Sequence, residues 1–300
     1  MTTAKNQLKS SLVDSKIPPG ISMYGVFMTF TLPSATALLI MLAGSVCAAE
    51  PTQEADGGKG WEYAIAAGAI YTPNYLGDDH YRLNLFPDFS VRYKKRFSAS
   101  FFEGIAYNLV ITDNWRVGPI IKYDFGRDED NDSPLALGDE TDDLQGLGDV
   151  DGTFEIGGFV EYSFAGFTTN FEARQAIDGH DGLLAEVELK FSGKLPASGR
   201  PVLYSIGPKI TYADASYNGA FFDVSPSQSA ASGLAQFEAD SGFNSYGLHG
   251  SLFMPLKNQI TLIAFGGYDR LDGDIADSPL VRQRGSKDQW IAGILLSYTL

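Results

Sequence analysis

The chain has 300 residues and 32.5 kDa, enough to bury a large core, and its 44% hydrophobic content excludes an intrinsically disordered chain. With 37 Asp+Glu against 22 Lys+Arg the formal net charge is −15, opposite in sign to the basic footprint that nucleic-acid binding requires. One Cys and three His supply neither a disulfide framework nor a Cys/His zinc cluster. An acidic chain rich in Gly (33) and aromatics (13%) suits an all-β protein.

The N-terminus reads as a secretory leader. Lys5, Lys9 and Lys16 precede an apolar stretch over about 23–43, which ends at the small residues Ala48-Ala49 after Cys47. A retained membrane anchor is the competing reading, because ~20 apolar residues can span a bilayer. Thr29, Thr31, Pro33, Ser34 and Thr36 dilute the stretch and no basic cluster follows, so cleavage near Ala49 is expected. The organisation expected is a leader over 1–49, a short periplasmic segment over 50–60 and one β-domain over 61–300. The mature chain then carries 19 basic and 36 acidic residues, net −17, and no cysteine.

From residue 61 onward the pattern alternates. Over 81–93 the odd positions hold Tyr81, Leu83, Leu85, Phe89, Val91 and Tyr93, and the even ones Arg82, Asn84, Asp88 and Arg92. Segments 115–125, 154–164, 167–173, 183–191 and 202–212 repeat this period of two, and 290–300 carries it to the last residue. A soluble β-sandwich would alternate too. However, these runs match the ~9–11 residues of a tilted membrane strand better than the ~5–6 of a soluble one. Aromatics also stand at both ends of the apolar faces, as at Tyr81 and Tyr93 or Phe154 and Phe164. Open edges do not persist in lipid, so the expected fold is a transmembrane antiparallel up-and-down β-barrel.

Strand number follows from parity. Short connections at 94–96, 165–166, 193–200 and 255–258 read as periplasmic turns. Long ones at 72–80, 127–151, 177–182, 214–244 and 272–287 read as outer loops. Eleven segments are evident, which puts 127–151 on the wrong side unless 97–110 is a hairpin. A break near Glu103-Gly104 gives about twelve strands, with ten or fourteen as alternatives.

The polar faces hold Arg82, Arg92, Arg116, Lys122, Arg174, Lys190 and Lys209 against Glu62, Asp88, Asp124, Glu155, Glu161, Glu172, Glu186 and Glu188. A lumen so balanced fits ion-paired crosslinking better than a strongly selective pore, whose lining favours one sign. Surplus negative charge lies in loops: 127–151 has ten acids and one Arg. Its Asp128-Glu-Asp130-Asn-Asp132 is a poor calcium loop, with Ser133 and Asp139 where Gly and Glu are needed, so a solvated loop is expected. His80, His180 and His249 have no accompanying nucleophile motif, and His80 and His180 fall in expected outer loops. Gly146, Gly148, Gly266 and Gly267 lack phosphate-loop context. No catalytic, cofactor or metal site is expected.

Several motifs carry a family resemblance. They are Tyr71-Thr-Pro-Asn-Tyr75-Leu-Gly-Asp, Thr112-Asp-Asn-Trp-Arg-Val-Gly118-Pro, Phe125-Gly-Arg-Asp-Glu-Asp130, Leu147-Gly-Asp-Val-Asp151-Gly, Phe221-Phe-Asp-Val-Ser225, Ala230-Ala-Ser-Gly-Leu234 and Asp277-Ser-Pro-Leu-Val281. Over about 60–300 the chain resembles the MltA-interacting protein/outer membrane protein V (MipA/OmpV) family. The resemblance implies a barrel in the outer membrane of a Gram-negative bacterium, in contact with lipid and lipopolysaccharide, with no catalytic residues. It implies a scaffold that meets a murein transglycosylase and synthase on its periplasmic side; a narrow channel for small solutes and a surface-loop adhesin are the alternatives. A monomer is expected. The chain departs from such barrels in ending Tyr298-Thr-Leu300 rather than in Phe.

Overall fold

The computed structural model describes residues 60–130, 135–138, 141–196 and 200–300. The expected leader and the segment up to residue 59 lie outside the described residues. In chain order the elements are β1 (Trp61–Pro73), β2 (Tyr81–Tyr93), β3 (Phe97–Ser100), β4 (Gly104–Tyr107), β5 (Val110–Ile111), β6 (Trp115–Asp124), β7 (Ala136–Leu137), β8 (Thr153–Phe164), β9 (Phe167–Ala176), β10 (Leu183–Leu195) and β11 (Val202–Ala213). Two helices follow, α1 (Ala215–Phe222) and α2 (Pro226–Ser232), then β12 (Gly242–Pro255) and β13 (Ile260–Leu271). Last come α3 (Gly273–Asp277), α4 (Pro279–Arg284) and β14 (Asp288–Thr299).

The sheet closes on itself because β1 pairs antiparallel with both β2 and β14. Twelve strands form the wall, while β5 and β7 are two-residue additions beside β6 and β2. This agrees with the count from parity, and the added hairpin is β3–β4, turning at 101–103. Gly104 makes that turn workable. Its φ is +76°, and a Cβ there would stand 2.1 Å from the Ile121 carbonyl oxygen of β6.

Alternation sets the two faces. In β10, Val187, Leu189 and Phe191 are exposed while Glu188 and Lys190 are buried. Aromatic pairs form two belts, as lipid interfaces require. Trp61–Tyr93 (4.7 Å) and Trp115–Tyr162 (4.6 Å) stand at the short-turn rim. Tyr71–Tyr81 (5.2 Å) and Tyr268–Trp290 (4.7 Å) stand at the long-loop rim.

The helices add to the reading of the long loops, which from sequence are outer connections only. They are too short for periodicity to reveal, but their caps are encoded. Asp214 accepts the Tyr217 N–H at 2.9 Å to start α1. Ser225 and Gln228 form a reciprocal capping box around Pro226 at the start of α2, and Gly233 closes it at φ 77°.

Candidate functional site: a capped, ion-paired lumen

Every charged residue assigned to the lumen from sequence is turned from the lipid face, and most are buried. Ten of them pair in a lattice on β6 and β8–β11, mostly across strands. Arg116 meets Glu161 at 2.6 Å, Lys122 meets Glu172 at 2.6 Å, and Lys190 meets Glu188 at 2.8 Å. Arg174 is the hub: it contacts Glu155 (2.8 Å), Glu186 (3.0 Å) and Glu172, and Lys209 closes on Glu186. Such pairing offsets the desolvation of each group only while every partner is present. A small cavity of about 30 Å³ remains among the lattice residues, bordered by Glu103, Arg116, Lys122 and Phe159.

The opposite wall carries an apolar cluster among polar residues. Ile70, Phe86, Phe253, Ile263, Ile291 and Leu295 turn inward from β1, β2 and β12–β14 and pack with Phe102. Alternation alone did not disclose this cluster, because both faces of these strands carry apolar residues. His249 and Asp269, on β12 and β13, form a buried pair at 2.9 Å. A side chain at Gly267 would collide with His249 Nδ1, at 2.6 Å, so the ring is packed between strands.

The long-loop mouth is closed by a packed cap. Tyr217, Phe221 and Phe222 of α1 pack on Leu271, Ile275 and Val281. Above them Tyr75, Leu144, Leu147, Val224, Leu234 and Leu280 form a second cluster. Side chains tie the loops to each other's backbone. Arg284 donates to the carbonyls of Asp143 (2.5 Å) and Ser232, Arg127 to that of Phe221, and Gln228 to that of Leu147 (2.5 Å). Burial pushes the Arg127 guanidinium down to about 10.

The cap corrects the reading of 127–151 as a merely solvated acidic loop. Its net charge hides apolar anchors: Leu144 and Leu147 are buried, and Ala136 and Leu137 join β2. Its acids serve the backbone, with Asp128 accepting the Asp130 N–H at 2.9 Å and Asp149 that of Glu129 at 2.8 Å. His80 stays exposed at the rim, beside Asp79 at 2.9 Å.

His180 is a second correction, since it is no solvated loop histidine. Its side chain is fully buried, against the rings of Tyr217 and Phe221, with Nε2 3.8 Å from Asp124 and 3.7 Å from Glu155. Nδ1 accepts the Gly182 N–H at 3.1 Å, so the neutral ring carries its proton on Nε2. A metal needs that lone pair free, and the trio is therefore a poor metal site although its carboxylates converge. Burial holds the imidazole below its ordinary 6.5, against the pull of Glu155, Asp214 and Asp181. A depressed folded-state value gives stability that is full above about 6.5 and lost as pH falls through it. Amide protection over 177–182 and α1, taken relative to intrinsic exchange at each pH, should therefore fall as pH drops from about 7.5 to about 5, and a His180→Asn variant should flatten that dependence.

Comparison with known sequences places this geometry. The sequence model described as MltA-interacting protein MipA matches residues 65–300, all of the barrel but the first four residues of β1. The chain belongs to the MipA family. Outer membrane protein OmpV of Vibrio cholerae serotype O1 (strain ATCC 39315 / El Tor Inaba N16961) is 33% identical over 89 residues, 30% of this chain. That match spans a third (33%) of the relative's own length. Among solved structures, an outer membrane channel from Pseudomonas putida F1 superposes with a TM-score of 0.40 at 11% identity, covering 84% of this chain and 99% of that one. A bacterial polysaccharide outer membrane secretin gives 0.39 at 10% identity, covering 82% and 100%. The MipA-family barrel is thus a Gram-negative outer-membrane protein.

Proposed function

We propose that this barrel is a non-enzymatic interaction protein whose periplasmic rim docks murein-modifying enzymes, with its lumen closed to bulk solute flow. The observation that carries this reading is the closure of the bore. Two apolar clusters cap the outer mouth, an ion-paired lattice crosses one wall and an apolar cluster fills the other. A conducting pore needs a continuous wet path, and each of these features opposes one.

The choice of partner draws on the family's description as MltA-interacting and on rim charge. The periplasmic turns carry Lys94, Lys95, Arg96, Lys194, Arg200 and Lys257 against Asp113. A basic ring of this kind steers an acidic protein surface toward the rim in a salt-dependent way.

Two measurements test the reading. Planar-bilayer recordings of the refolded protein should show no stable porin-like steps; large steady steps would sink it and promote the narrow-channel alternative. Crosslinking in intact envelopes should co-purify a murein transglycosylase or synthase. Changing Lys94, Lys95 and Arg96 to Glu should reduce that capture.

A further inference from the structure

The connection between β1 and β2 is pinned at the long-loop rim. The Asn74 N–H donates to the His80 carbonyl at 3.1 Å, and the Asp78 N–H to that of Tyr75 at 3.0 Å. The wholly buried Gln289 accepts the Gly77 N–H and donates to the Asp78 carbonyl, both at 3.1 Å. These bonds fix the backbone from which Asp78, Asp79 and His80 project. A second loop brings Asp143 beside them through Arg284. The Tyr75 hydroxyl donates to the Arg284 carbonyl at 2.9 Å, and the Arg284 guanidinium donates to the Asp143 carbonyl at 2.5 Å. Thr141 orients the Asp143 carboxylate by donating to its Oδ2 at 2.6 Å.

A carboxylate oxygen from each of Asp78, Asp79 and Asp143 and the Nδ1 of His80 all lie within 4.8 Å of one another. Nδ1 stands 2.9 Å from Asp79, 3.5 Å from Asp78 and 3.9 Å from Asp143. Ligand atoms around a tetrahedral ion with bonds of ~2.1 Å are ~3.4 Å apart, the middle of that range. In contrast to His180, no backbone N–H among the described residues occupies this nitrogen.

Two features show that the cluster lacks countercharge. Among the described residues no Lys or Arg pairs with its three carboxylates, and Arg284 directs its guanidinium at the carbonyls of Asp143 and Ser232 instead. Independently, the Asp78 side chain has no exposed surface, yet its Oδ2 meets no hydrogen-bond donor, while Oδ1 accepts the His80 N–H at 2.9 Å. Asn74, buried in the same turn, also leaves its Oδ1 without a donor. A buried carboxylate oxygen is costly unless charge or a donor meets it.

We propose that Asp78, Asp79, His80 and Asp143 bind one divalent transition-metal ion of the zinc type, which clamps the β1–β2 connection to loop 141–147. The imidazole selects the ion, because Ca²⁺ and Mg²⁺ favour all-oxygen sites whereas a mixed nitrogen and carboxylate set suits zinc. The ion reaches the site from solvent, since the His80 and Asp79 side chains are 64% and 53% exposed. It takes the place of the proton that Nδ1 shares with Asp79 in the metal-free protein. Residue spacing conceals the set, because Asp143 comes from a different loop.

The test is calorimetric titration of ZnCl₂ into the untagged, refolded barrel, with CaCl₂ as the second arm. Zn²⁺ should bind saturably at one equivalent, and His80→Ala and Asp143→Asn should each weaken it at least ~10-fold. Asp79→Asn replaces the second variant if that one does not refold. Amide exchange should show protection gained with Zn²⁺ over 74–80 and 141–147. Ca²⁺ should bind more weakly and respond little to His80→Ala. Non-saturating Zn²⁺ uptake, an isotherm unchanged in both variants, or Ca²⁺ binding as tight as Zn²⁺ overturns the proposal.

Discussion

Replacing Arg174 with Met should lower the stability of the refolded barrel by about 3–5 kcal/mol. The guanidinium is almost wholly buried and is shared by Glu155, Glu172 and Glu186 on three adjacent strands, β8, β9 and β10. Methionine fills most of the volume but leaves three carboxylates with Lys122 and Lys209 as their remaining cationic contacts. Uncompensated buried charge, more than the lost contacts, sets the size of the effect. Adding Glu172→Gln to Arg174→Met should therefore recover part of the loss, although it removes a further charged contact. Urea titration of the barrel refolded in lipid, followed by gel mobility, checks both. Independent, additive losses would show that the lattice does not act as a unit.

The second large effect lies on the other face of the same strand. Val187→Arg should cost about 2–4 kcal/mol, because Val187 stands mid-strand on the lipid side of β10. Glu188→Gln, one residue along, should cost much less, since its amide remains in the polar lumen beside Lys190. The same titration decides the comparison. Equal losses at the two positions would refute the assigned faces.

These two substitutions rest on information of different origin. The face of Val187 was readable in the sequence, because a strand alternates with a period of two whatever its surroundings. The same rule placed the charged residues of the lumen. Loop-length parity then located the hidden hairpin at Glu103-Gly104, since a closed antiparallel wall with both ends at one rim needs an even strand number. The role of Arg174 as a hub was not readable. Which carboxylates it meets depends on the register of β8, β9 and β10, and register is fixed only when the strands pair.

The cap shows the same division. Many of the motifs that carry the family resemblance fold into it: Tyr75, Leu147, Phe221, Phe222, Val224, Leu234, Leu280 and Val281. Their chemistry is visible in the sequence, as are Asp214 and the Ser225–Gln228 box that start the helices. Their meeting is not, because it brings together loops up to about two hundred residues apart, as Tyr75 and Arg284 do.

By itself, the sequence determined a closed antiparallel barrel of about twelve strands, with ten or fourteen left open, its lipid and lumen faces and a charge-balanced interior. Backbone periodicity, the lack of water in the bilayer and the bar on open edges are enough for these. Tertiary structure alone decided that an apolar cluster fills one side of the lumen, that His180 and His249 are buried, and that Ala136–Leu137 pairs beside β2. The physical reason is that each depends on contacts between distant segments. Such contacts are set by shape and register, which composition and periodicity do not encode.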